Sequence, residues 1–174
     1  MTLAPIWFGP YAAATVLLAM AGGLKVVRPT TTVRALRSAG LPANAALVRI
    51  GSAIEVVIAL AALLRGGTVA AGLVAASYFA FAAFVLLAFG RGGTVSSCGC
   101  FGEVDSPPTV LHVVLNLAAA LVAAAAARAG GPAMGDVVGG VPEIVVFAAL
   151  VALLAYLAFL AMAVLPKTMA RARR

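Results

Sequence analysis

The amino-acid sequence predicts an all-α protein, a polytopic membrane helix bundle with about five transmembrane helices in a single integral membrane domain over residues 1–174. Hydrophobic residues make up 64% of the chain and charged residues only 10%, and the mean hydropathy is +1.16. Soluble domains of this size carry about 25% charged residues, so the composition excludes a water-soluble globular protein. Apolar runs of about 20 residues, long enough to cross a bilayer, follow one another along the chain.

The first span is expected at about 5–25, because residues 2–24 carry no charge and no basic segment precedes them, as a secretory signal peptide would require. A basic loop follows, in which Pro29 and Pro42 interrupt helical structure and Gly40 is suited to a helix end. We expect a true loop here, with at most one amphipathic turn.

The second span is expected at about 43–64 and the third at about 68–90, with Arg65-Gly66-Gly67 as a tight hairpin between them. The polar insert "RGGTVSSCGCFGEVDSPP" follows. Ser106 is a candidate N-cap and Pro107-Pro108 a favoured start for the fourth span, about 107–127. The fifth span is expected at about 141–165, before a basic tail.

The net charge of +7 comes from 12 basic and 5 acidic residues, and the basic ones lie between spans and at the C-terminus rather than along one helix face. This distribution argues against nucleic acid and is typical of membrane orientation and of contact with lipid head groups. The first loop and the tail are separated by four spans, so they lie on one side, which the positive-inside rule makes the cytoplasmic side of the plasma membrane. Their basic residues are Lys25, Arg28, Arg34, Arg37, Lys167, Arg171, Arg173 and Arg174.

The parity of the spans also places the polar insert on the side of the first loop, whichever way the chain is inserted. Lys25 ends the first span there, Glu55 lies three turns into the second, and His112 and Asn116 lie in the first turns of the fourth. The sequence therefore predicts that its unusual polar groups gather in one half of the bundle.

Both cysteines occur in that insert, as Cys98-Gly99-Cys100. A disulfide between them requires a turn, since an extended pair lies near the upper limit of roughly 6.8 Å between α-carbons, and Gly99 supplies the needed backbone freedom. Such a small ring would be strained, which is typical of labile, oxidising disulfides, and it would close too short a loop to stabilise the fold. Thiol–disulfide exchange is therefore favoured. Two alternatives stay open: an ordinary structural role, and thiolate binding of copper or zinc with His112, although the spacing of a four-ligand site is missing.

The order of "GGLKVVRP", "AGLP", a glutamate in the second span, "SCGCFG" and an asparagine in the fourth span resembles the MauE group of DoxX-like membrane proteins over about residues 20–120. The resemblance implies a redox role for Cys98 and Cys100, namely support of disulfide formation in exported proteins beside a thioredoxin-like partner. Such a role would place the cysteines outside the cell, whereas the charge distribution places them in the cytoplasm.

Glu55 needs a partner or a proton, since a charge at the centre of a span costs about 2.5–3.5 kcal/mol. Lys25 is the best candidate, because Arg49 points about 120° away from Glu55 around the same helix. The pair would lock the bundle or serve as a proton relay.

His112 and Asn116, four residues apart, share one helix face and would form core hydrogen bonds or assist the cysteines in acid–base chemistry. A quinone is one cofactor that the sequence allows, in a crevice that aromatic residues of the third span would line. The aromatic residues in question are Tyr78, Phe79, Phe81 and Phe84.

The sequence supports two alternative functions. The first is a membrane thiol–disulfide oxidoreductase in which Cys98 and Cys100 are catalytic and Lys25, Glu55, His112 and Asn116 support them. The second is a non-catalytic membrane subunit that anchors or assembles a partner, with the cysteines incidental or metal-binding.

Overall fold

The computed structural model describes residues 7–90, 108–137 and 139–165. Within these ranges all regular secondary structure is helical, and no strand is present. Five of its helices are long and apolar enough to cross a bilayer, which confirms the predicted all-α fold with five spans. The helices are α1 (Phe8–Val27), α2 (Thr30–Ser38), α3 (Ala45–Leu64), α4 (Thr68–Gly90), α5 (Val110–Arg128), α6 (Met134–Val137) and α7 (Val141–Ala163).

Capping residues fix the starts of α3 and α5 two to three residues later than predicted. The Asn44 side chain accepts a hydrogen bond from the Leu47 N–H at 2.9 Å, so α3 begins at residue 45 rather than 43. Thr109 is the N-cap of α5, and Pro108 precedes it in non-helical backbone. The predicted start at Pro107-Pro108 is therefore wrong, while Ser106 and Pro107 themselves lie outside the described residues.

The first loop contains a helix of nine residues, α2, where the sequence suggested at most one turn. Pro29 stands at its N-cap, and Gly40, with φ of +73°, follows its end in the left-handed conformation that glycine tolerates best. Ala35 and Ala39 are buried against Ala88 near the end of α4. This tertiary contact explains why α2 extends over more than a single turn.

α1 lies at the centre of the bundle, in contact with α3, α5 and α7, while α4 packs mainly on α5 and also on α3. The main core combines aromatic side chains of α1 and α4 with alanines of α3, α4 and α5 that let the helices approach closely. Its buried members include Phe8, Tyr11, Leu18, Ala59, Ala62, Ala71, Val74, Tyr78, Ala120, Ala123 and Ala126. α7 contacts this core at its edge, where Phe147 stacks on Phe8 with ring centroids 5.4 Å apart.

Two glycine turns meet at one end of the bundle. The predicted hairpin between α3 and α4 forms with Gly66 and Gly67 at φ of +68° and +101°. The Gly67 N–H donates a hydrogen bond to the Gly131 carbonyl at 2.5 Å, and Gly131 also has a positive φ, +65°. A β-carbon on Gly131 would overlap the backbone of Gly67, so glycine is required for both conformation and space.

The other end of the bundle, which we call the basic end, is formed by the end of α1, all of α2, the start of α3, the end of α4 and the start of α5. It carries four exposed arginines, Arg28, Arg34, Arg37 and Arg49. At the glycine end the exposed arginines of the described residues, Arg65 and Arg128, are matched by Asp136 and Glu143. The charge asymmetry expected from the sequence is therefore present in the three-dimensional arrangement of the described residues.

Candidate functional site

Lys25 and Glu55 form an ion pair inside the bundle, near its basic end. Lys25 lies in the last turn of α1 and Glu55 in the middle of α3, and the Lys25 Nζ donates to the Glu55 Oε2 at 2.6 Å. The lysine side chain is 5% exposed and the glutamate side chain 18%. The predicted contact between these two residues is thereby confirmed, and Arg49 instead donates from Nε to the Val26 carbonyl at 3.2 Å.

The ion pair depends on an unusually close approach of α1 and α3. Gly22 faces Ser52 and Val56, and a β-carbon on Gly22 would lie 2.9 Å from both the Ser52 carbonyl oxygen and a Val56 methyl group. Gly22 stands one turn before Lys25 on α1. The absence of a side chain at this position therefore lets the two helices approach until lysine and glutamate can meet.

The Lys25 ammonium also lies 4.7 Å from the centroid of the Phe81 ring on α4. A cation over an aromatic face at this distance is attracted by the ring, more strongly where water is excluded. The lysine charge is therefore stabilised from two helices, by a carboxylate on α3 and by a ring on α4.

A groove opens beside the pair, with a cavity volume of about 380 Å³. Its walls are α2, the connection 41–43, the first half of α3 and part of the second half of α4, and Lys25, Glu55 and Ser52 supply its inner polar end. The remaining lining is largely apolar. The groove therefore runs from the basic end, where head groups are expected, to a pair of opposite charges in the membrane interior.

Of the four aromatic residues considered for a crevice, the structure places Phe81 and Phe84 in the groove and the other two elsewhere. Tyr78 is buried in the core, where its hydroxyl donates to the Ala14 carbonyl at 2.5 Å. Phe79 is 44% exposed on the outside of the bundle. Including Tyr78 and Phe79 in the crevice was therefore wrong, because only part of an aromatic run on a helix faces any one neighbour.

His112 and Asn116 are both buried on one face of α5, as their spacing predicts, and they are joined by a local hydrogen bond. The Asn116 side-chain amide donates to the His112 carbonyl at 2.7 Å. Asn116 lies one turn further along α5 than His112, and it also lines a smaller apolar cavity between α1, α5 and α7.

The His112 ring forms a capping interaction that the sequence analysis missed. The Thr109 N–H donates to the His112 Nδ1 at 3.3 Å, and the Thr109 hydroxyl lies 2.8 Å from the same nitrogen. Because Nδ1 accepts from a backbone N–H, the proton of a neutral ring resides on Nε2. Among the described residues Nε2 has no hydrogen-bond partner, although the side chain is fully buried. The spacing of Thr109 and His112, three residues apart at a helix start, was the available signal.

Cys98 and Cys100 lie outside the described residues, so their geometry is not part of the structure. The flanking residues of their segment are described: Gly90 ends α4 and Pro108 precedes α5. Both flanks lie at the basic end, since Ala88 packs on α2 and the opposite end of α5 lies at the glycine turns. Gly90 and Pro108 therefore both lie at the end of the bundle that carries the Lys25–Glu55 pair and His112.

The described residues contain no cluster of three or more His, Cys, Asp or Glu side chains that could hold a metal ion.

The chain matches the family model described as methylamine utilisation protein MauE over residues 3–129. The chain belongs to the MauE family. Searches of curated proteins and of solved structures gave no match. The MauE match includes α1 to α5, the ion pair, the cysteine segment and His112, and it ends just after α5, so α6 and α7 lie beyond it.

Proposed function

We propose that this MauE protein is a membrane thiol–disulfide oxidoreductase, in which the Cys98–Cys100 disulfide exchanges with the dithiol of a thioredoxin-like partner. In each exchange the partner dithiol loses two electrons and two protons and becomes a disulfide, while the Cys98–Cys100 disulfide takes them up and becomes a dithiol. The reaction proceeds through a mixed disulfide between one cysteine of each protein.

The observation that carries this proposal is the gathering of polar groups at one end of an otherwise apolar bundle. The described residues that flank the cysteine segment, Gly90 and Pro108, lie at the basic end, and the same half of the bundle contains the buried Lys25–Glu55 pair and the buried His112. Polar side chains inside a membrane domain are costly and therefore mark functional positions by default. The MauE match includes the cysteine segment and so adds the family's association to this argument.

His112 and the ion pair support the cysteines in this proposal rather than react with the partner. A neutral His112 ring with its proton on Nε2 is a hydrogen-bond donor, which favours a thiolate over a thiol in its neighbourhood. The Lys25–Glu55 pair offers a proton acceptor for the protons released when the Cys98–Cys100 dithiol is oxidised, and a proton donor for those taken up when the disulfide is reduced. Asn116 holds the first turns of α5 through its bond to the His112 carbonyl.

We further propose that the protein resides in the plasma membrane, is related to DoxX-like proteins, and has its basic end in the cytoplasm. The four exposed arginines at that end, against balanced charges at the glycine end, support this orientation. Service to exported proteins would require the reverse orientation. The side of the membrane on which the cysteines react therefore distinguishes a cytoplasmic partner from an exported one.

The test uses the purified protein with Cys98→Ser, Cys100→Ser and, as a matched control in the same segment, Ser97→Ala. Each cysteine variant is expected to lose exchange with a reduced thioredoxin-fold protein, followed by the redox state of that protein. With the thioredoxin-fold protein supplied in its disulfide form, the remaining thiol of one variant should attack that disulfide and form a mixed disulfide, visible on a non-reducing gel, because the variant has no second thiol to resolve it. Ser97→Ala should exchange like the unaltered protein. Full exchange by both cysteine variants would contradict the proposal and favour a non-catalytic anchoring or assembly subunit.

A further inference from the structure

The groove beside the Lys25–Glu55 pair is a built site for a small neutral molecule. Its cavity volume of about 380 Å³ lies within the range of roughly 300–1,000 Å³ that is usual for small-molecule sites. Such sites are mostly apolar, with a few polar groups placed to orient the ligand. Here the polar end consists of a lysine that is 5% exposed, a glutamate that is 18% exposed and the buried Ser52.

The charges at the inner end of the groove select against an anion. The charge of Lys25 is balanced by Glu55 at 2.6 Å, so the inner end of the groove carries no net charge. The pair can still form further hydrogen bonds, because the ammonium group has three donor positions and the carboxylate uses only part of its acceptor capacity. A phosphate would be repelled by the carboxylate as strongly as it is attracted by the ammonium. A carbonyl oxygen, which accepts a hydrogen bond without bearing a charge, fits this pair better.

The lining of the groove suits a planar ring. Phe81 and Phe84, one turn apart on α4, are half-buried on its wall, and aromatic pairs attract one another in offset or edge-to-face arrangements. From the start of α3 at Ala45 to Glu55 the helix rises about 15 Å at 1.5 Å per residue, enough for a ring and the first part of a tail. Leu41 and Leu47, which line the groove on the connection 41–43 and on α3, are exposed, so the groove has an apolar opening suited to a lipid-soluble molecule.

We propose that this groove binds the ring of a membrane quinone, which accepts the electrons of the reduced cysteine pair. This inference rests on the proposed thiol–disulfide function and supplies the oxidant that a protein with a single cysteine pair requires. In the overall step the Cys98 and Cys100 thiols lose two electrons and two protons and form a disulfide bond, while the quinone gains both and becomes a quinol. Lys25 donates a hydrogen bond to one quinone oxygen, which stabilises the negative charge that develops there during reduction.

The first experiment measures binding of a short-chain ubiquinone analogue to the purified protein, by equilibrium dialysis and by photo-cross-linking of its azido derivative with peptide mapping. The test variant is Ala80→Trp, which places an indole in the groove without altering the ion pair. Ala83→Trp is the matched control, since Ala83 is exposed on the same helix but does not line the groove. Ala80→Trp should weaken binding at least tenfold, Ala83→Trp should leave it unchanged, and cross-links should map to α2, α3 and α4, the helices that form the groove walls.

Lys25→Met provides a second variant, expected to weaken binding at least tenfold because the quinone oxygen loses its donor. Equal binding by Ala80→Trp and the unaltered protein, cross-links at other helices, or displacement of the analogue by phospholipid alone would overturn the quinone site.

The outcome for the site is separable from the outcome for the cysteines, because binding of the analogue and exchange with the thioredoxin-fold protein are measured in separate assays. Exchange with a thioredoxin-fold protein in the absence of quinone binding would overturn this inference and leave the proposed function standing. Binding without reduction of the analogue by the dithiol form would overturn the acceptor role. If exchange were also absent in that case, the proposed function would be contradicted as well.

Discussion

Removing Lys25 should destabilise the bundle more than neutralising Glu55. In Lys25→Met the carboxylate of Glu55, 18% exposed, loses the ammonium group that lies 2.6 Å away. Breaking a buried ion pair from one side costs about 3–5 kcal/mol, and the partial exposure of Glu55 places the expected loss near the lower value, about 3 kcal/mol. Glu55→Gln keeps an oxygen that accepts from the charged ammonium, so a loss of about 1 kcal/mol is expected.

The assay is unfolding of the detergent-solubilised protein by a denaturing detergent, followed by far-ultraviolet circular dichroism. The double variant Lys25→Met with Glu55→Gln completes a double-mutant cycle. Its free energy of unfolding should fall by about 2 kcal/mol, whereas the two single losses add up to about 4 kcal/mol. Arg49→Gln is the control, since Arg49 is exposed and bonds only a backbone carbonyl at 3.2 Å; we expect a loss below about 0.5 kcal/mol. Strict additivity, or a larger loss for Glu55→Gln than for Lys25→Met, would refute this reasoning.

Three further changes test the fold around the site by the same unfolding assay. Gly22→Val should cost about 2 kcal/mol by forcing α1 away from α3, while Gly23→Val, with open space around it, should cost less than half as much. Gly131→Ala should cost at least about 1 kcal/mol, because φ is +65° and a β-carbon would overlap the facing turn, whereas Gly135→Ala meets no neighbour and should be neutral. Thr109→Val should cost about 1 kcal/mol through loss of the cap of α5, and Thr109→Ser should restore most of it. Equal losses within any of these matched pairs would contradict the packing or capping described here.

The number of spans and the partner of Glu55 were predictable from the sequence for related reasons. Both follow from the cost of polar groups in hydrocarbon: this cost limits spans to predominantly apolar runs of about 20 residues and requires a cation or a proton for a carboxylate in a span. The number of spans between these residues then placed Lys25, Glu55 and His112 in one half of the bundle without knowledge of the packing.

The groove and α2 were not predictable, because they depend on distances between helices. The short, basic sequence of α2 is held in place by Ala35 and Ala39 against α4, a contact with no local signature. The aromatic run of α4 likewise indicated a crevice but not its members. Tyr78 and Phe81 are in contact, with ring centroids 5.9 Å apart, yet the first lies in the core and the second lines the groove.

The redox state and sidedness of the Cys98–Cys100 pair test the central claim most directly. Sealed vesicles that contain the unaltered protein are prepared with either the cytoplasmic or the outer face of the membrane exposed. Each preparation is treated with a membrane-impermeant thiol reagent before and after reduction. The number of labels bound per protein is counted by mass spectrometry. The account predicts no label before reduction and two labels afterwards, in the vesicles that expose the cytoplasmic face. Two labels without reduction, unchanged after treatment with an oxidant, would contradict a redox-active pair, and labelling only from the outer face would contradict the proposed orientation.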